Sequence, residues 1–279
     1  MKIFAADIGG TFIKFAVMNE FAEIITQNKI PTPLESHEKF LQAIFNQYKN
    51  FDCEGIALSM PGIIDSARGI SVESVAIPHN NNKFICAELE KICGVKVTVE
   101  NDAKCAALAE AKIGSLADVE SGFVVVIGTG AGGAFVHNKK VYHGKNNLSG
   151  EIGFMSAGNN KIIGEFCGVP ALLKDSGFNT GEEFFQAVEQ KNIGALTRLD
   201  NFTRQIANLI FNIQMVVDVE KFAIGGGISS QEIFIDYIRK NLEKIYDNCL
   251  MNFPRTEIVP CKFRNNANLI GAVFNYLSK

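Results

Sequence analysis

Two short glycine-rich turns, each placed after an apolar strand, constrain this sequence more than any other feature. The first is Gly9-Gly10-Thr11, which follows the segment 2–7. The second, Thr129-Gly130-Ala131-Gly132-Gly133, follows the segment 122–128. In each half the chain continues into antiparallel strands and then into alternating helices and strands, as the hydrophobic periodicity indicates. The pattern therefore predicts two related α/β domains, each built on a mixed sheet.

The domain boundary is expected between Gly114 and Gly122, which gives domains of 1–117 and 118–267. In the first half, the periodicity predicts strands at 2–7, 12–18, 23–30, 54–60 and 95–100 and helices around 40–48, 85–93 and 103–113. In the second half, it predicts strands at 122–128, 134–142, 221–225 and 256–261, irregular chain from Gly150 to Pro170, and helices at 182–191, 203–217, from about Ser229-Ser230, and at 268–277.

Composition excludes several classes of function. The chain of 279 residues carries 27 Lys and Arg against 30 Asp and Glu, a net charge of -3, so no basic face for nucleic acid is expected. No apolar run is long enough to span a membrane and no signal peptide is evident, which favours a cytoplasmic protein. Seven scattered cysteines without a C-x-x-C pair argue against disulfides and a thiolate zinc cluster, and most are expected to be buried.

The glycine turns have a chemical interpretation. Asp7 ends the first strand, and Gly9 and Gly10 allow the backbone to approach an anion closely; a plain hairpin turn is the alternative. Two such turns facing one another would hold a polyphosphate between the domains. A third glycine run, Gly225-Gly226-Gly227, joins a strand to a helix. There it can receive a nucleotide at the helix N-terminus or simply permit tight packing.

Acidic residues supply the remaining candidates. Glu100-Asn101-Asp102 ends a strand and opens a helix; capping explains one of these residues, whereas an aspartate at a strand end can act as a general base toward a hydroxyl. Glu151, in Gly150-Glu151-Ile152-Gly153, and Glu165 are either ligand-binding carboxylates or solvated surface charges. Together with the glycine turns, these residues indicate phosphoryl transfer from a nucleotide to a hydroxyl group.

The sequence resembles the ROK family of bacterial repressors and sugar kinases, within the hexokinase–actin–Hsp70 superfamily. The resemblance covers nearly the whole chain. It rests on DIGGT at 7–11, SMPG at 59–62, ENDAKCAALAE at 100–110, GTGAGGA at 128–134, GEIG at 150–153, GGGIS at 225–229 and LIGA at 269–272.

The resemblance implies two ribonuclease-H-like (actin-like ATPase) domains with a cleft between them, the last helix, 268–279, packing back on the first. It implies that Asp102 is the catalytic base and that Asp7 orients Mg²⁺ through water. The residues implied for ATP are Asp7, Gly9, Gly10, Thr11, Thr129, Gly130, Gly132, Gly133, Gly226 and Gly227. Those implied for the sugar are Gly62, Asn101, Asp102, Glu151 and Glu165.

Two departures from the family pattern concern zinc. Phe154 stands where the family has a histidine that binds zinc and touches the sugar, and the segment 155–168 offers only Cys167 in place of a cysteine-rich loop. Because structural zinc needs four Cys or His ligands, the zinc site is expected to be lost. Some N-acetylmannosamine kinases of the family also lack this site. Phe154 either contacts the sugar ring or an N-acetyl methyl group, or fills the space that the shorter loop leaves.

The function implied is an ATP- and Mg²⁺-dependent kinase that phosphorylates the 6-hydroxyl of N-acetylmannosamine, glucose or N-acetylglucosamine. The alternatives are a fructokinase or glucokinase of the same family and a sugar-sensing protein without catalysis. A DNA-binding repressor is not favoured, because Asp7 leaves no room for a preceding helix-turn-helix. An actin- or Hsp70-like ATPase would need longer insertions. The resemblance also implies a homodimer without nucleic-acid or membrane partners.

Overall fold

The computed structural model describes all 279 residues, which form fourteen strands and eight α-helices. The strands are β1 Lys2–Ile8, β2 Phe12–Asn19, β3 Ile24–Pro31, β4 Gly55–Met60, β5 Ile63–Asp65, β6 Ile70–Glu73, β7 Lys96–Asn101, β8 Ser121–Ile127, β9 Ala131–His137, β10 Lys140–Val141, β11 Ser156–Gly158, β12 Lys161–Ile162, β13 Lys221–Gly225 and β14 Glu257–Pro260. The helices are α1 His37–Tyr48, α2 Ile85–Cys93, α3 Asp102–Ile113, α4 Val169–Leu173, α5 Gly181–Glu189, α6 Ile193–Val217, α7 Glu232–Asp247 and α8 Ala267–Leu277.

The chain divides into two compact units. The first unit contains residues 1–112, 141–149 and 266–279, and the second contains residues 113–140 and 150–265. The predicted division at 117/118 differs in two respects, because the chain passes to the second unit already after residue 112 and because the segment 141–149 lies in the first unit. Hydrogen bonds to Glu100 and Lys104, described below, hold it there. Contacts of this kind, distant in sequence, are not visible in hydrophobic periodicity.

The first unit is built on a five-stranded mixed sheet in the order β3-β2-β1-β4-β7. The β1–β2 and β2–β3 pairs are antiparallel, and the β1–β4 and β4–β7 pairs are parallel. Because side chains alternate along a strand, one face of β1 gives Phe4, Ala6 and Ile8 to an apolar core shared with α1 and α2. The other face, which carries Asp7, lies under α8, and α8 packs against β1, β4 and β7.

The second unit repeats the plan. Its five-stranded sheet has the order β10-β9-β8-β13-β14, with β8 antiparallel to β9 and parallel to β13, and with β13 parallel to β14. Its core joins β8 and β13 to α5, α6 and α7. The two mixed α/β sheets confirm the predicted fold class.

The elements that differ from the sequence prediction include α6, the β5–β6 hairpin and α7, together with β11, β12 and α4 in chain for which no regular element was predicted. Helix α6 begins at Ile193, ten residues before the predicted start at 203, with Asn192 as its cap accepting from the amide of Ala195 at 3.0 Å. Ile193 is exposed, so the apolar residues of the first turn do not all lie on the buried face of the helix, and the apolar periodicity is not regular there. The β5–β6 hairpin was not predicted, because its strands are only three and four residues long. Helix α7 begins at Glu232, after a single 3₁₀ turn at Gly227–Ser230.

Candidate active site

The first glycine turn is a tight connection between β1 and β2. The Gly9 amide donates to the Phe12 carbonyl at 2.9 Å, and an added Cβ at Gly9 would lie 3.0 Å from that same oxygen. Thr32 braces the turn, because its hydroxyl donates to the Gly9 carbonyl at 2.6 Å and its amide to the Thr11 carbonyl at 3.0 Å. Gly10 and Thr11 are exposed. The turn is thus both a hairpin connection and an accessible run of backbone.

Asp7 lies at the carboxyl end of β1, directly before this turn. Its Oδ1 accepts from the Ser59 hydroxyl and from the Asn268 amide, each at 2.9 Å. Burial raises the pKa of Asp7, and the hydrogen bonds from Asn268 and Ser59 and the charge of Lys14 oppose that rise. A desolvated carboxylate with polar rather than cationic hydrogen-bond partners is suited to a hydrated divalent cation, so the residues present fit Mg²⁺. Asn268, at the start of α8, was not found by sequence reasoning.

The β7–α3 junction carries the predicted base. Asn101 is buried; its Oδ1 accepts from the Lys104 amide at 3.1 Å, and its Nδ2 donates to the Gly62 carbonyl at 2.9 Å. Asp102, which is half-buried, begins α3, and its Oδ1 accepts from the Ala103 amide at 2.8 Å. The N3 amide of α3 is therefore capped by Asn101, and the Asp102 carboxylate, which accepts from the N2 amide, is not needed for that cap.

Gly62 lies beside the same junction, at a position where close packing requires glycine. Its φ is +101°, and an added Cβ would lie 2.2 Å from the Glu73 carbonyl and 2.8 Å from the Ser74 Cβ. Only glycine fits this position, which holds a carbonyl beside Asn101. The structure thus brings Asp7, Gly9, Gly10, Thr11, Gly62, Asn101 and Asp102 onto the strand ends and turns of one unit.

The second glycine turn joins β8 to β9 in the second unit. Gly133 is buried against the Phe123 ring and the Val124 carbonyl, where an added Cβ would lie at 2.7 and 2.8 Å. Thr129 and Gly130 are exposed, and Gly132 is half-buried. An added Cβ at Gly130 would meet no atom within 4 Å. Packing therefore requires glycine at 133 but not at 130, where the open backbone can receive an anion.

The third glycine run borders a cavity of about 500 Å³ within the second unit. Gly226 has a φ of +91°, and an added Cβ would lie 1.9 Å from the Ile127 carbonyl, so the backbone crosses close to β8. Gly227 is exposed at the edge of the cavity. The start of α5, with Thr180 and Glu182, lines the cavity together with Gln231. These three polar residues were not predicted, because no local motif distinguishes them.

The two predicted glutamates occupy different surroundings. Glu151 is half-buried and directly precedes the 3₁₀ turn Ile152–Phe154. Glu165 is exposed, and its Oε1 accepts from the Ile162 amide at 3.1 Å, a local contact that closes a 3₁₀ turn. Phe154 is 71% exposed, so the interpretation that it fills the space left by a shorter loop is wrong.

Cysteine and metal chemistry add little to the site. All seven cysteines are free, and five of them are buried, which confirms the expectation that most are buried. Burial raises the pKa of the Cys167 thiol to about 12. No group of three or more His, Cys, Asp or Glu side chains is arranged to hold a metal ion. None of the helices has the length and apolar character that crossing a bilayer requires.

Comparison with known proteins agrees with the resemblance that the sequence motifs indicate. The model of the ROK family matches residues 3–278. An N-acetyl-D-glucosamine kinase of Vibrio atlanticus (strain LGP32) is 31% identical over 297 residues, which cover 96% of this chain and 97% of the relative. A beta-glucoside kinase of Listeria monocytogenes is 29% identical over 301 residues, 100% of this chain and 98% of the relative.

Solved structures agree with this likeness. The crystal structure of a ROK family protein from Streptococcus pneumoniae TIGR4, in complex with sucrose, superposes with a TM-score of 0.90 at 30% identity. The match covers 100% of this chain and 98% of the other. The actin-like arrangement of strands and helices is therefore shared over the full length of the two chains.

Proposed function

Because the chain belongs to the ROK family, we propose that it is a sugar kinase that transfers the γ-phosphoryl group of ATP to the 6-hydroxyl of an N-acetylhexosamine. Relatives named N-acetyl-D-glucosamine kinase, at 29–31% identity over nearly the whole chain, support the kinase activity and the sugar class. The observation that carries the proposal is Asp102, placed at the end of a buried strand and not needed as the N3 cap of its helix.

In the proposed mechanism, Asp102 accepts the proton of the sugar hydroxyl while the phosphoryl group is transferred. A carboxylate within hydrogen-bond reach of that hydroxyl can serve as its general base. Asn101 retains one amide hydrogen beyond its bond to Gly62, and that hydrogen is available to a sugar hydroxyl. Glu151 accepts from further hydroxyls, and a carboxylate can accept from two at once. Gly62 lines the sugar subsite, with Glu165 as a second carboxylate.

The nucleotide is assigned to the three glycine turns. Gly9, Gly10 and Thr11 contact the phosphates from one turn, and Thr129, Gly130, Gly132 and Gly133 from the other. Gly226 and Gly227 flank the adenosine, and the cavity beside Gly227 has the size expected for a nucleoside. Asp7 would orient Mg²⁺ through water, and the cation supplies charge neutralisation at the phosphates when it is bound.

A coupled ADP-release assay over a panel of sugars tests this proposal. The panel contains N-acetylglucosamine, N-acetylmannosamine, glucose and fructose, each with ATP and Mg²⁺. We expect the highest kcat/KM with one of the two N-acetylhexosamines. If glucose or fructose is the far better substrate, the proposed sugar class is wrong and the kinase activity stands. A protein that binds a sugar without releasing ADP would instead be the non-catalytic sugar sensor.

A further inference from the structure

The segment 141–149 is attached to the strand–helix junction that carries Asp102, although its sequence neighbours on both sides belong to the second unit. The attachment uses two residues placed symmetrically about Asp102 in sequence, two positions before and two positions after it. Glu100 is the last but one residue of β7, and Lys104 lies in the first turn of α3. Each side chain is only 1% exposed.

The first attachment is a hydrogen bond from an imidazole to a buried carboxylate. His143 donates from Nε2 to Glu100 Oε2 at 2.8 Å, and the other carboxylate oxygen accepts from the Asn101 amide at 2.8 Å. Both oxygens of Glu100 are thus engaged. Burying a carboxylate is costly unless donors satisfy it, so His143 is the side chain that makes this buried charge tolerable.

The second attachment involves a buried ammonium group. Lys104 Nζ donates to the carbonyl oxygen of Asn147 at 3.2 Å, while the Lys104 amide donates to the Asn101 cap. Lysine is almost never fully buried without a partner. The carbonyl of Asn147, in the segment 141–149, is an acceptor for this buried ammonium group.

The segment is also closed on itself. The Ser149 amide donates to the His143 carbonyl at 3.1 Å, and Gly144 and Asn147 adopt left-handed backbone conformations, with φ of +72° and +61°. The loop from 143 to 149 is therefore a compact unit rather than a slack connection. It meets the β7–α3 junction at two points, and these points flank the proposed base.

We infer that the segment 141–149 is a positioning element for Asp102, held by His143 on Glu100 and by Asn147 on Lys104. This inference rests on the proposed function, because Asp102 is the base only in that function. His143 is then a positioning residue that acts through Glu100 and touches neither sugar nor nucleotide. The Asn101 side chain is held by Gly62 and Lys104, and only its backbone amide contacts Glu100, so we expect sugar affinity to depend less on His143 than kcat does.

The test compares His143→Ala, His143→Gln and His137→Ala. Glutamine can still donate a hydrogen bond to Glu100, whereas alanine leaves the buried carboxylate without that donor. His137 is the matched control, because it is an exposed histidine that pairs with Glu120 at 3.7 Å and lies at the opposite end of β9 from Gly132 and Gly133. Measured quantities are kcat, KM for sugar, KM for ATP and the thermal midpoint.

We expect His143→Ala to lower kcat by ~10- to 100-fold, since small displacements of a catalytic group have effects of this size. Both KM values should stay near wild type, His143→Gln should restore most of kcat, and His137→Ala should match wild type. A His143→Ala enzyme with wild-type kcat overturns the inference, and so does a loss that His143→Gln fails to restore.

If His143→Ala does not fold, Lys104→Met replaces it. Methionine keeps the apolar stem of Lys104 and removes the donor to Asn147, and the same fall in kcat at unchanged KM is expected. Wild-type kcat in Lys104→Met overturns the inference. A wild type inactive on every sugar contradicts the proposed function instead. In that case hydrogen exchange tests the attachment of the segment 141–149 directly. We expect faster amide exchange across 141–149 in His143→Ala than in His137→Ala, and equal rates would overturn the inference.

Discussion

At the scale of single residues, two neighbours at the β7–α3 junction have different roles: Asn101 stabilises the fold, and Asp102 is the proposed base. Asn101 supplies the helix cap and the bond to Gly62, and Asp102 follows it with a carboxylate that the N3 cap does not use. Sequence reasoning recognised that capping could explain only one of the two residues. It could not decide which, because asparagine and aspartate cap helices about equally well.

Asp102→Asn should lower kcat by ~10²- to 10⁴-fold, the range typical of a lost general base. The amide has the shape of the carboxylate and can accept the same hydrogen bond from Ala103, but it is not a proton acceptor at neutral pH. Steady-state kinetics and calorimetric sugar binding provide the measurement, with binding expected to be retained. Turnover near the wild-type rate would show that another group takes the proton.

Asp7→Asn should stabilise the fold at neutral pH while lowering activity by ~10- to 100-fold, the usual cost of losing a group that orients a metal's ligands. An amide oxygen can accept the same bonds from Ser59 and Asn268, and the substitution removes a buried charge. Because burial raises the pKa of Asp7, its ionisation costs stability as pH rises from the unfolded pKa toward the folded one.

The gain in the thermal midpoint of Asp7→Asn should therefore be larger at neutral pH than in acid, where Asp7 is protonated in both states. Scanning calorimetry at several pH values checks the sign. A midpoint below that of wild type at neutral pH would mean that the buried charge is compensated by its surroundings.

Glu151→Ala should raise KM for every accepted sugar, because a carboxylate bonded to hydroxyls contributes to binding whatever the substituent at carbon 2. Phe154→Ala should change only the ratio between acetylated and plain hexoses, by ~10- to 200-fold at most, since an apolar contact discriminates no more than that. The exposure of Phe154 means that its removal should not affect folding. An unchanged KM in Glu151→Ala removes this residue from the sugar site.

At the scale of elements, the glycine turns differ in what requires glycine. The third run needs it for conformation and for close approach to β8, whereas the tip of the second turn has open space around Gly130. Sequence alone shows glycine in both places and cannot separate these reasons, because the separating atoms belong to strands distant in sequence.

Gly226→Ala should destabilise the fold by roughly 1–3 kcal/mol, from backbone strain at positive φ and the overlap with Ile127. Gly130→Ala should fold with a wild-type midpoint, because its Cβ meets no other atom, yet raise KM for ATP about 10-fold, because the methyl group keeps the phosphate away from the backbone amide and so weakens one hydrogen bond to a charged group. Denaturant titration and kinetics of the pair make the comparison. Equal effects on both quantities in the two variants would contradict the assignment.

The strands and helices were largely predictable, because apolar periodicity and glycine stops are local signals. Helix α2, for example, ends at Cys93 as predicted, and Gly94 caps it in the left-handed conformation that glycine adopts readily. Contacts that join distant parts of the chain were not predictable. Asn268 on Asp7 and His143 on Glu100 carry no local pattern, and both were found only in the folded structure.

At the scale of the whole molecule, we expect a homodimer. The second unit exposes the apolar side chains of Val216, Leu250 and Met251, although most of the 22 phenylalanines are buried or partly buried. Isolated apolar side chains are common on surfaces, so the measurement decides. Light scattering at micromolar concentration should give twice the 30.5 kDa of the chain. A mass of one chain would contradict the prediction.

The position of α8 in the first unit also sets an order of events during synthesis. The sheet of that unit is complete in sequence by β7, at residue 101, but the helix that covers its inner face and the amide that orients Asp7 come from residues 267–277. Domains generally fold as units as they leave the ribosome. Here β1 to β7 must wait for α8, so a nascent chain that has not reached α8 lacks the helix that covers one face of this sheet and the Asn268 amide that holds Asp7.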